Sequence, residues 1–446
     1  MFKRIFIANR GEIAVRIIRA CRELGIESVS AYSTADKNSI HTKLSDKSIC
    51  IGSSPPAKSY LNIDNIITAA QVTGCDAIHP GYGFLAENSR FVDICNQNNL
   101  IFIGPPAEVI SLAGNKSKAI EVMKRNKIPV IPGSSGNVNR IKTALKLSRR
   151  LGYPVIIKAS FGGGGKGMRI CNDKKDLIAH LPLAKSESES SFGNGEVYIE
   201  KYISKPRHIE FQIIADNYGN TVCVGERECS IQRRHQKLIE EAPAVNLPIK
   251  TSRLMREFAV RAARAVNYKN LGTIEFLLDG QDNFYFIEIN TRIQVEHPVT
   301  EMVTGIDLVK EQIRIAYGKK IDNLREDYKP RGHSIEFRIN AEDPDNDFRP
   351  CPGKIVECFL PGGPGVRVDT FISPNCEVSP FYDSLIAKLI VWDSTREEAI
   401  LRSIRALDEF RIEGIKTTIP FYKKIIKNKN FISGNIHTHF IEEEIK

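Results

Sequence analysis

The chain has 446 residues and a mass of 50.0 kDa, room for about three domains with cores of their own, which excludes a small module held together by disulfides. Hydrophobic residues make up 42% and charged residues 26%, ordinary proportions that exclude a disordered or fibrous chain. Lys plus Arg number 63 against 53 Asp plus Glu, a net charge of +10, compatible with phosphorylated substrates, acidic proteins or nucleic acid as partners.

In chain order, residues 4 to 8 read as a short buried strand, and the turn Asn9-Arg10-Gly11-Glu12 is followed by helical spacing at Ala14, Ile17, Ile18 and Cys21. Charge at Arg10 and Glu12 so early argues against a signal peptide. The strand pattern returns at 26 to 32, at Ala77-Ile78-His79 before Pro80-Gly81-Tyr82-Gly83, and at Leu100 to Ile103. Strands alternating with helices predict a parallel α/β layer. The dinucleotide fingerprint GxGxxG is missing from the first turn, so no such site is assigned there.

A second region begins near Lys116 and contains the apolar run Pro154 to Ile157, closed by Lys158 and followed by Gly162-Gly163-Gly164-Gly165-Lys166-Gly167. Successive glycines expose backbone N–H groups and suit a loop that closes over phosphates. It is not a Walker A loop, because Gly167 follows Lys166 where Ser or Thr is needed, and a glycine-rich turn alone is weak evidence. Lys116 and Lys158 add two cations for a polyphosphate, although each alone reads as a solvated surface charge. The stretch Lys185 to Gly195 reads as a surface loop, and a polar connector from about Gly318 to Gly332 precedes a strand-rich final section punctuated by Pro-Gly turns. The ten cysteines form no CxxC pair and read as reduced structural thiols, and no run of 18 apolar residues exists.

The richest stretch is Glu288 to Glu296. Read as one extended segment, it puts Glu288, Asn290, Arg292, Gln294 and Glu296 on one face and Ile289, Ile293 and Val295 on the other. The run Leu271 to Leu278 joins it through the loop 279–283 as a hairpin, with Glu275 close to opposite Glu288. Facing carboxylates repel, and a divalent cation removes the conflict: Glu275, Glu288 and the Asn290 carbonyl are hard oxygen donors suited to Mg²⁺ or Mn²⁺. The bland alternative is a salt-bridged strand face. Gln232-Arg233-Arg234-His235-Gln236-Lys237, before Glu240-Glu241, reads by default as a charged exposed strand.

Together these motifs resemble the ATP-grasp enzymes and, within them, the biotin carboxylases, the ATP-dependent components of biotin-dependent carboxylases such as acetyl-CoA carboxylase. The resemblance runs end to end: Ile7 to Ala14, His79 to Leu85, Gly162 to Gly167, Arg233 to Lys237, Asn290 to Pro298, Arg338 to Asp343 and Tyr382-Asp383-Ser384. It implies an α/β and α+β multi-domain chain: a parallel α/β domain over 1–114, an ATP-grasp domain over 115–317 with a mobile Gly-rich lid at about 131–203, and a β-rich C-terminal domain over 331–446. It implies ATP bound by Lys116, Lys158, Gly164, Gly165, Glu200, Lys201, Tyr202, Ile203, His208 and His235, with Glu275 and Glu288 also contacting it. Two Mg²⁺ or Mn²⁺ ions are implied at Glu275, Glu288 and Asn290. Bicarbonate is implied against Lys237, Arg292, Gln294 and Val295, with Glu296 as general base, Arg338 beside the biotin oxygen and Tyr82 bordering the biotin ring.

The implied reaction is ATP-dependent carboxylation of biotin through carboxyphosphate, the first half-reaction of acetyl-CoA carboxylase in fatty-acid synthesis. Implied partners are a biotin carboxyl carrier protein, carboxyltransferase subunits and a second copy of the chain, in a bacterial cytoplasm or plastid stroma; neither nucleic acid nor a membrane is implied. Arg19, Glu23 and Arg367 match the family dimer contacts, whereas Pro364 stands where some members have an aromatic, and Lys166 stands where many carry Arg. No biotin-bearing Met-Lys-Met motif occurs, so a free-standing subunit is expected. An ATP-grasp carboxylate-amine ligase would share the grasp but lack the Arg292, Gln294, Glu296 and Arg338 set, and a basic nucleic-acid-binding protein would need a reader module that does not appear.

Overall fold

The computed structural model describes residues 1–446 except 135, 139, 161–167, 322–328 and 446. The glycine run with Gly164, Gly165 and Lys166, and much of the expected connector, therefore lie outside the described residues. Three sheets place the site.

The first is five parallel strands in the order β3-β2-β1-β4-β5, with β1 Arg4–Ile7, β2 Glu27–Ser33, β3 Lys47–Gly52, β4 Ala77–His79 and β5 Ile101–Phe102. The central strands β1, β2 and β4 are buried on both faces. The helix Gly11–Glu23 packs Ile13, Ile17 and Ile18 into the core with Ile5 and Ile7. The predicted α/β alternation is observed here.

The second sheet is small: β6 Val155–Ala159 lies between β7 Arg169–Cys171 and β8 Val197–Lys201. It has a core of its own, in which Val155, Ile157, Val197 and Ile199 meet Ala144, Leu177 and Leu181. The expected loop at Lys185–Gly195 is instead the end of a helix, Lys174–Phe192. Asp173 caps its first turn, and Leu177, Leu181, Ala184 and Ser188 fall at three- and four-residue spacing on its buried face. Of the Ser and Glu residues that suggest a loop, Ser186, Glu189, Ser190 and Ser191 are exposed, and the chain leaves the helix at Gly193 in the left-handed conformation.

The third sheet has eight strands in the order β13-β12-β9-β10-β11-β14-β16-β15, formed by β9 Arg207–Ala215, β10 Thr221–Arg233, β11 Gln236–Ala242, β12 Asn270–Leu278, β13 Phe284–Asn290, β14 His333–Asn340, β15 Val366–Thr370 and β16 Leu385–Asp393. Every pairing is antiparallel. The β11–β14 pair carries the sheet across the expected connector, so the strand-rich final section continues the sheet that holds the acidic strands. The Arg233–Lys237 cluster is a tight hairpin rather than one strand: Arg234 and His235 both have positive φ, 49° and 65°, the geometry of a two-residue turn that matches strand twist.

The extended reading of Glu288–Glu296 holds only as far as Asn290, where β13 ends. Ile293 then turns fully buried into the core beside Leu308 and Ile313, and the helix His297–Thr304 begins with Pro298 in its first turn. Arg292, Gln294 and Glu296 therefore reach the site from a turn and not from a strand face.

Candidate active site

Two cavities meet over the eight-stranded sheet and share His208, His235, Glu275 and Glu288 as a common wall. The first, about 540 Å³, lies between this sheet and the small one. Of the expected nucleotide residues it is lined by Lys116, Lys158, Lys201, Tyr202, Ile203, His208 and His235, together with Met168, Leu277, Ile287 and His439, which the sequence reading missed. The second, about 610 Å³, is lined by Tyr82, Lys237, Asn290, Arg292, Gln294, Val295, Glu296 and Arg338, with the Asn9–Ile13 turn and the Tyr382–Leu385 loop on its other side.

In the first cavity the cations stand in simple pairs. Lys158 Nζ on β6 meets Glu200 Oε2 on β8 at 2.7 Å, inside the small sheet, and Lys116 Nζ meets Glu288 Oε2 on β13 at 2.6 Å. Lys201 Nζ donates to the carbonyls of Gly152 and Tyr153, and the Tyr202 hydroxyl meets His439 Nε2 at 3.0 Å. Polyphosphate oxygens could replace the carboxylates on Lys116 and Lys158 without loss of pairing.

The shared wall is a row across four strands. Register places Glu288 opposite Glu275, Glu275 opposite Glu210, and Glu210 opposite Arg227. The hairpin pairing expected for Glu275 and Glu288 is observed. Three carboxylates side by side are tolerable only with cations between them. Lys237 Nζ provides one, at 2.6 Å from Glu210, 2.9 Å from Glu275 and 2.6 Å from Glu296, and its pKa is held well above the lysine range by these carboxylates despite burial. His208 Nε2 lies 2.8 Å from Glu275 Oε2, and although burial works against it Glu275 holds the imidazole above the usual histidine range. Arg227 is fully buried and donates to Glu210, Gln212, Thr273, Thr300 and, at 2.7 Å, to Gln294 Oε1. Gln294 Nε2 in turn donates to Glu275 at 2.7 Å.

Asn290 Nδ2 donates to Glu275 at 2.8 Å, which turns Asn290 Oδ1 outward beside the Arg292 guanidinium. The Glu275 and Glu288 carboxylates and this amide oxygen form a hard oxygen donor set, and their like charges in register are balanced here by Lys116, His208 and Lys237. By donor chemistry the three residues fit Mg²⁺ or Mn²⁺.

Glu296 sits at the base of the second cavity, 2% exposed, with Oε1 2.6 Å from Lys237 and Oε2 2.9 Å from Arg338 Nη2. Burial alone would raise its pKa, but Lys237, Arg338 and Arg227 hold it far below the usual carboxylate range, so the group is ionised and able to accept a proton only as those cations turn to other partners. Arg338 is held between Glu296 and Glu240 Oε1, the latter 2.6 Å from its Nε. Arg292 Nε lies 2.9 Å from Glu87, and the Tyr82 hydroxyl donates to Glu12.

Sequence reasoning missed Glu87, Glu210, Arg227 and Glu240. The alternation of His208, Glu210 and Gln212 with Ile209, Phe211 and Ile213 is the signal that places Glu210 on the same face as His208. Glu87 reaches Arg292 from 205 residues away, and no local pattern marks it.

This arrangement matches known proteins along its whole length. The family model described as the biotin carboxylase N-terminal domain matches residues 1–110, the carbamoyl-phosphate synthase L chain ATP binding domain matches 115–324, and the biotin carboxylase C-terminal domain matches 336–443. A biotin carboxylase of Nostoc sp. is 53% identical over 442 residues, covering 99% of each chain. The structure of a biotin carboxylase from Campylobacter jejuni, described as an ATP complex, superposes with a TM-score of 0.97 at 49% identity and covers 99% of each chain. The biotin carboxylase domain dimer of the Hydrogenobacter thermophilus 2-oxoglutarate carboxylase, described with MgADP and bicarbonate, superposes with a TM-score of 0.96 at 48% identity, covering 99% of this chain and 98% of that one. The chain belongs to the biotin carboxylase family.

Proposed function

We propose that this chain carboxylates biotin with bicarbonate at the cost of ATP, with ATP in the first cavity and bicarbonate and biotin in the second. The observation that carries this reading is Glu296: a buried, ionised carboxylate bridging Lys237 and Arg338 beside the wall that the two cavities share. Bicarbonate bound to Lys237 and Arg292 would draw Lys237 from Glu296 and free that carboxylate to take the bicarbonate proton. The bicarbonate oxygen then forms a bond to the γ-phosphorus while the bond to the ADP oxygen breaks, giving carboxyphosphate. Lys116 and Lys158 would hold the phosphate charge. A divalent ion held by Glu275, Glu288 and Asn290 would neutralise further phosphate charge, and a second ion is part of the same reading.

Carboxyphosphate then cleaves at carbon–oxygen, releasing CO₂ and phosphate beside biotin. The phosphate takes the N1′ proton, Arg338 holds the negative charge that develops on the ureido oxygen, and N1′ then bonds to the CO₂ carbon as one C–O π pair moves onto oxygen, giving carboxybiotin. Tyr82, fixed by its bond to Glu12, borders the ring. In this reading 1–114, 115–317 and 331–446 are the working domains and about 131–203 is the lid, which excludes water from the labile intermediate. A biotin carboxyl carrier protein supplies the biotin, carboxyltransferase subunits accept the product, and the chain works as a homodimer in a bacterial cytoplasm or plastid stroma. Acetyl-CoA is our proposed final acceptor; the 2-oxoglutarate carboxylase relative shows that the family also serves other acceptors. Among the described residues no helix is long and apolar enough to cross a membrane.

ADP release by the purified chain, with ATP and Mg²⁺, is expected to require bicarbonate and to rise with free biotin, and Arg338→Ala is expected to abolish the biotin response while ATP still binds. ATP cleavage indifferent to both bicarbonate and biotin would overturn the reading in favour of a carboxylate-amine ligase.

A further inference from the structure

Behind Arg338 lies a pair of carboxyl groups that the proposed reaction does not use. Glu240 on β11 and Glu336 on β14 are directly opposite in antiparallel register, so their side chains share one face of the sheet. Both are 0% exposed. Glu240 Oε1 accepts from Arg338 Nε at 2.6 Å, but Glu240 Oε2 and both oxygens of Glu336 have no hydrogen-bond partner among the described residues. Three unpaired carboxylate oxygens at neighbouring positions in a buried sheet are untenable as two full negative charges.

The surrounding charges do not relieve them. Facing Glu336 are Lys388 from β16, Arg338 from its own strand, Glu240 from β11 and Glu296 from the turn before the helix His297–Thr304. That helix packs over the same face and brings His297, whose burial keeps it neutral. Lys388 Nζ is already engaged, 2.9 Å from the Val295 carbonyl and 3.1 Å from Glu12. Arg338 is engaged by Glu240 and Glu296. Four buried carboxylates, Glu12, Glu240, Glu296 and Glu336, thus stand around two cations, with Lys237 divided among three partners.

We propose that Glu240 and Glu336 share one proton, as a carboxylic acid bonded to a carboxylate, and that this pair fixes the charge behind Arg338. A single O–H···O bond joins Glu240 Oε2 to one of the Glu336 oxygens and removes one negative charge. In keeping with this, burial pushes Glu240 up to about 7 and Glu336 well above the carboxylate range, Glu336 raised further by Glu240. The two are positioning residues. With Glu336 neutral, Arg338 keeps one carboxylate at its back and one at its side, and its charge remains available to an anionic oxygen in the cavity; a second charge behind it would draw the guanidinium away. The effect on turnover rests on the role proposed above for Arg338, whereas the shared proton does not.

The test is infrared spectroscopy of the full chain, read in H₂O and D₂O at pH 7, with bicarbonate-dependent turnover followed over pH. The unaltered protein is expected to show the C=O stretch of a protonated, buried carboxylic acid that shifts in D₂O. Glu336→Gln, which mimics the neutral acid, is expected to lose that band. Glu240→Gln is expected to shift it, which keeps the assignment testable if the first variant does not fold. One pH unit above the alkaline midpoint of turnover, wild type is expected to have fallen about tenfold and Glu336→Gln not to have followed it. No such band in the unaltered protein, or a band unchanged in both variants, would overturn the shared proton. A band that behaves as expected while both alkaline limbs fall together would overturn the action through Arg338. Loss of biotin-dependent turnover in every form would instead count against the carboxylase reading and leave the band to decide the proton.

Discussion

The two cavities share a wall but are built in opposite ways. Around the first, two lysines each have one carboxylate, and the pairs are divided between two sheets with separate cores: Lys158 with Glu200 in the small sheet, Lys116 with Glu288 at the edge of the large one. Around the second, Lys237, Arg227 and Arg338 cross-link carboxylates on β9, β11, β12 and the Gln294–Glu296 turn over one continuous sheet. A site assembled from separable parts can exchange its ion pairs for phosphate oxygens and let one sheet move against the other. A site cross-linked within one sheet is preorganised, which suits stabilisation of charge in a transition state. The difference is the one the proposed function needs, with nucleotide capture in the first region and chemistry in the second.

If that division holds, damage to the cross-linked region should unfold the chain and damage to the paired region should not. The larger effect is expected from Arg227→Met. It leaves Glu210 buried without its arginine and strips donors from Gln212, Thr273 and Gln294. Deleting one partner of a buried ion pair typically costs about 3–5 kcal/mol. Urea unfolding should show a lower midpoint with an unchanged slope, and an unchanged midpoint would remove Arg227 from the framework. A smaller effect is expected from Lys116→Met, whose partner Glu288 stays part-exposed; it removes one charged bond to a phosphate and should raise the KM for ATP roughly tenfold or more while the urea midpoint stays near wild type. A fall in stability as large as that of Arg227→Met would erase the contrast between the two regions.

Much of this was legible in the sequence, for physical reasons that also mark where legibility ends. The β12–β13 hairpin could be read because a five-residue polar loop between two apolar runs sets the register that brings Glu275 and Glu288 together. The parallel layer could be read from short apolar runs alternating with amphipathic spacing. The turn after Asn290 could not, because alternation looks unbroken through Glu296 and only burial of Ile293 against a helix 15 or more residues on bends the chain. The helix at Lys174–Phe192 was hidden by Ser and Glu on its solvent face, although Leu177, Leu181 and Ala184 carry its period. Glu87, Arg227 and the Glu240–Glu336 pair have their meaning only through partners distant in sequence: 205 residues for Glu87 with Arg292, 67 for Arg227 with Gln294. Local pattern identifies the strand face; the fold decides which charges meet on it.

The central claim is that bicarbonate attacks ATP in the shared space between the cavities, and its most direct test follows one oxygen atom. With bicarbonate labelled uniformly with ¹⁸O, ATP, Mg²⁺ and biotin, the account predicts that the phosphate released carries one ¹⁸O, because the oxygen that attacks phosphorus stays with it when carboxyphosphate loses CO₂. Phosphate free of label, with ADP formed at the same rate, would mean that water or another acceptor attacks the γ-phosphorus, and would contradict the account.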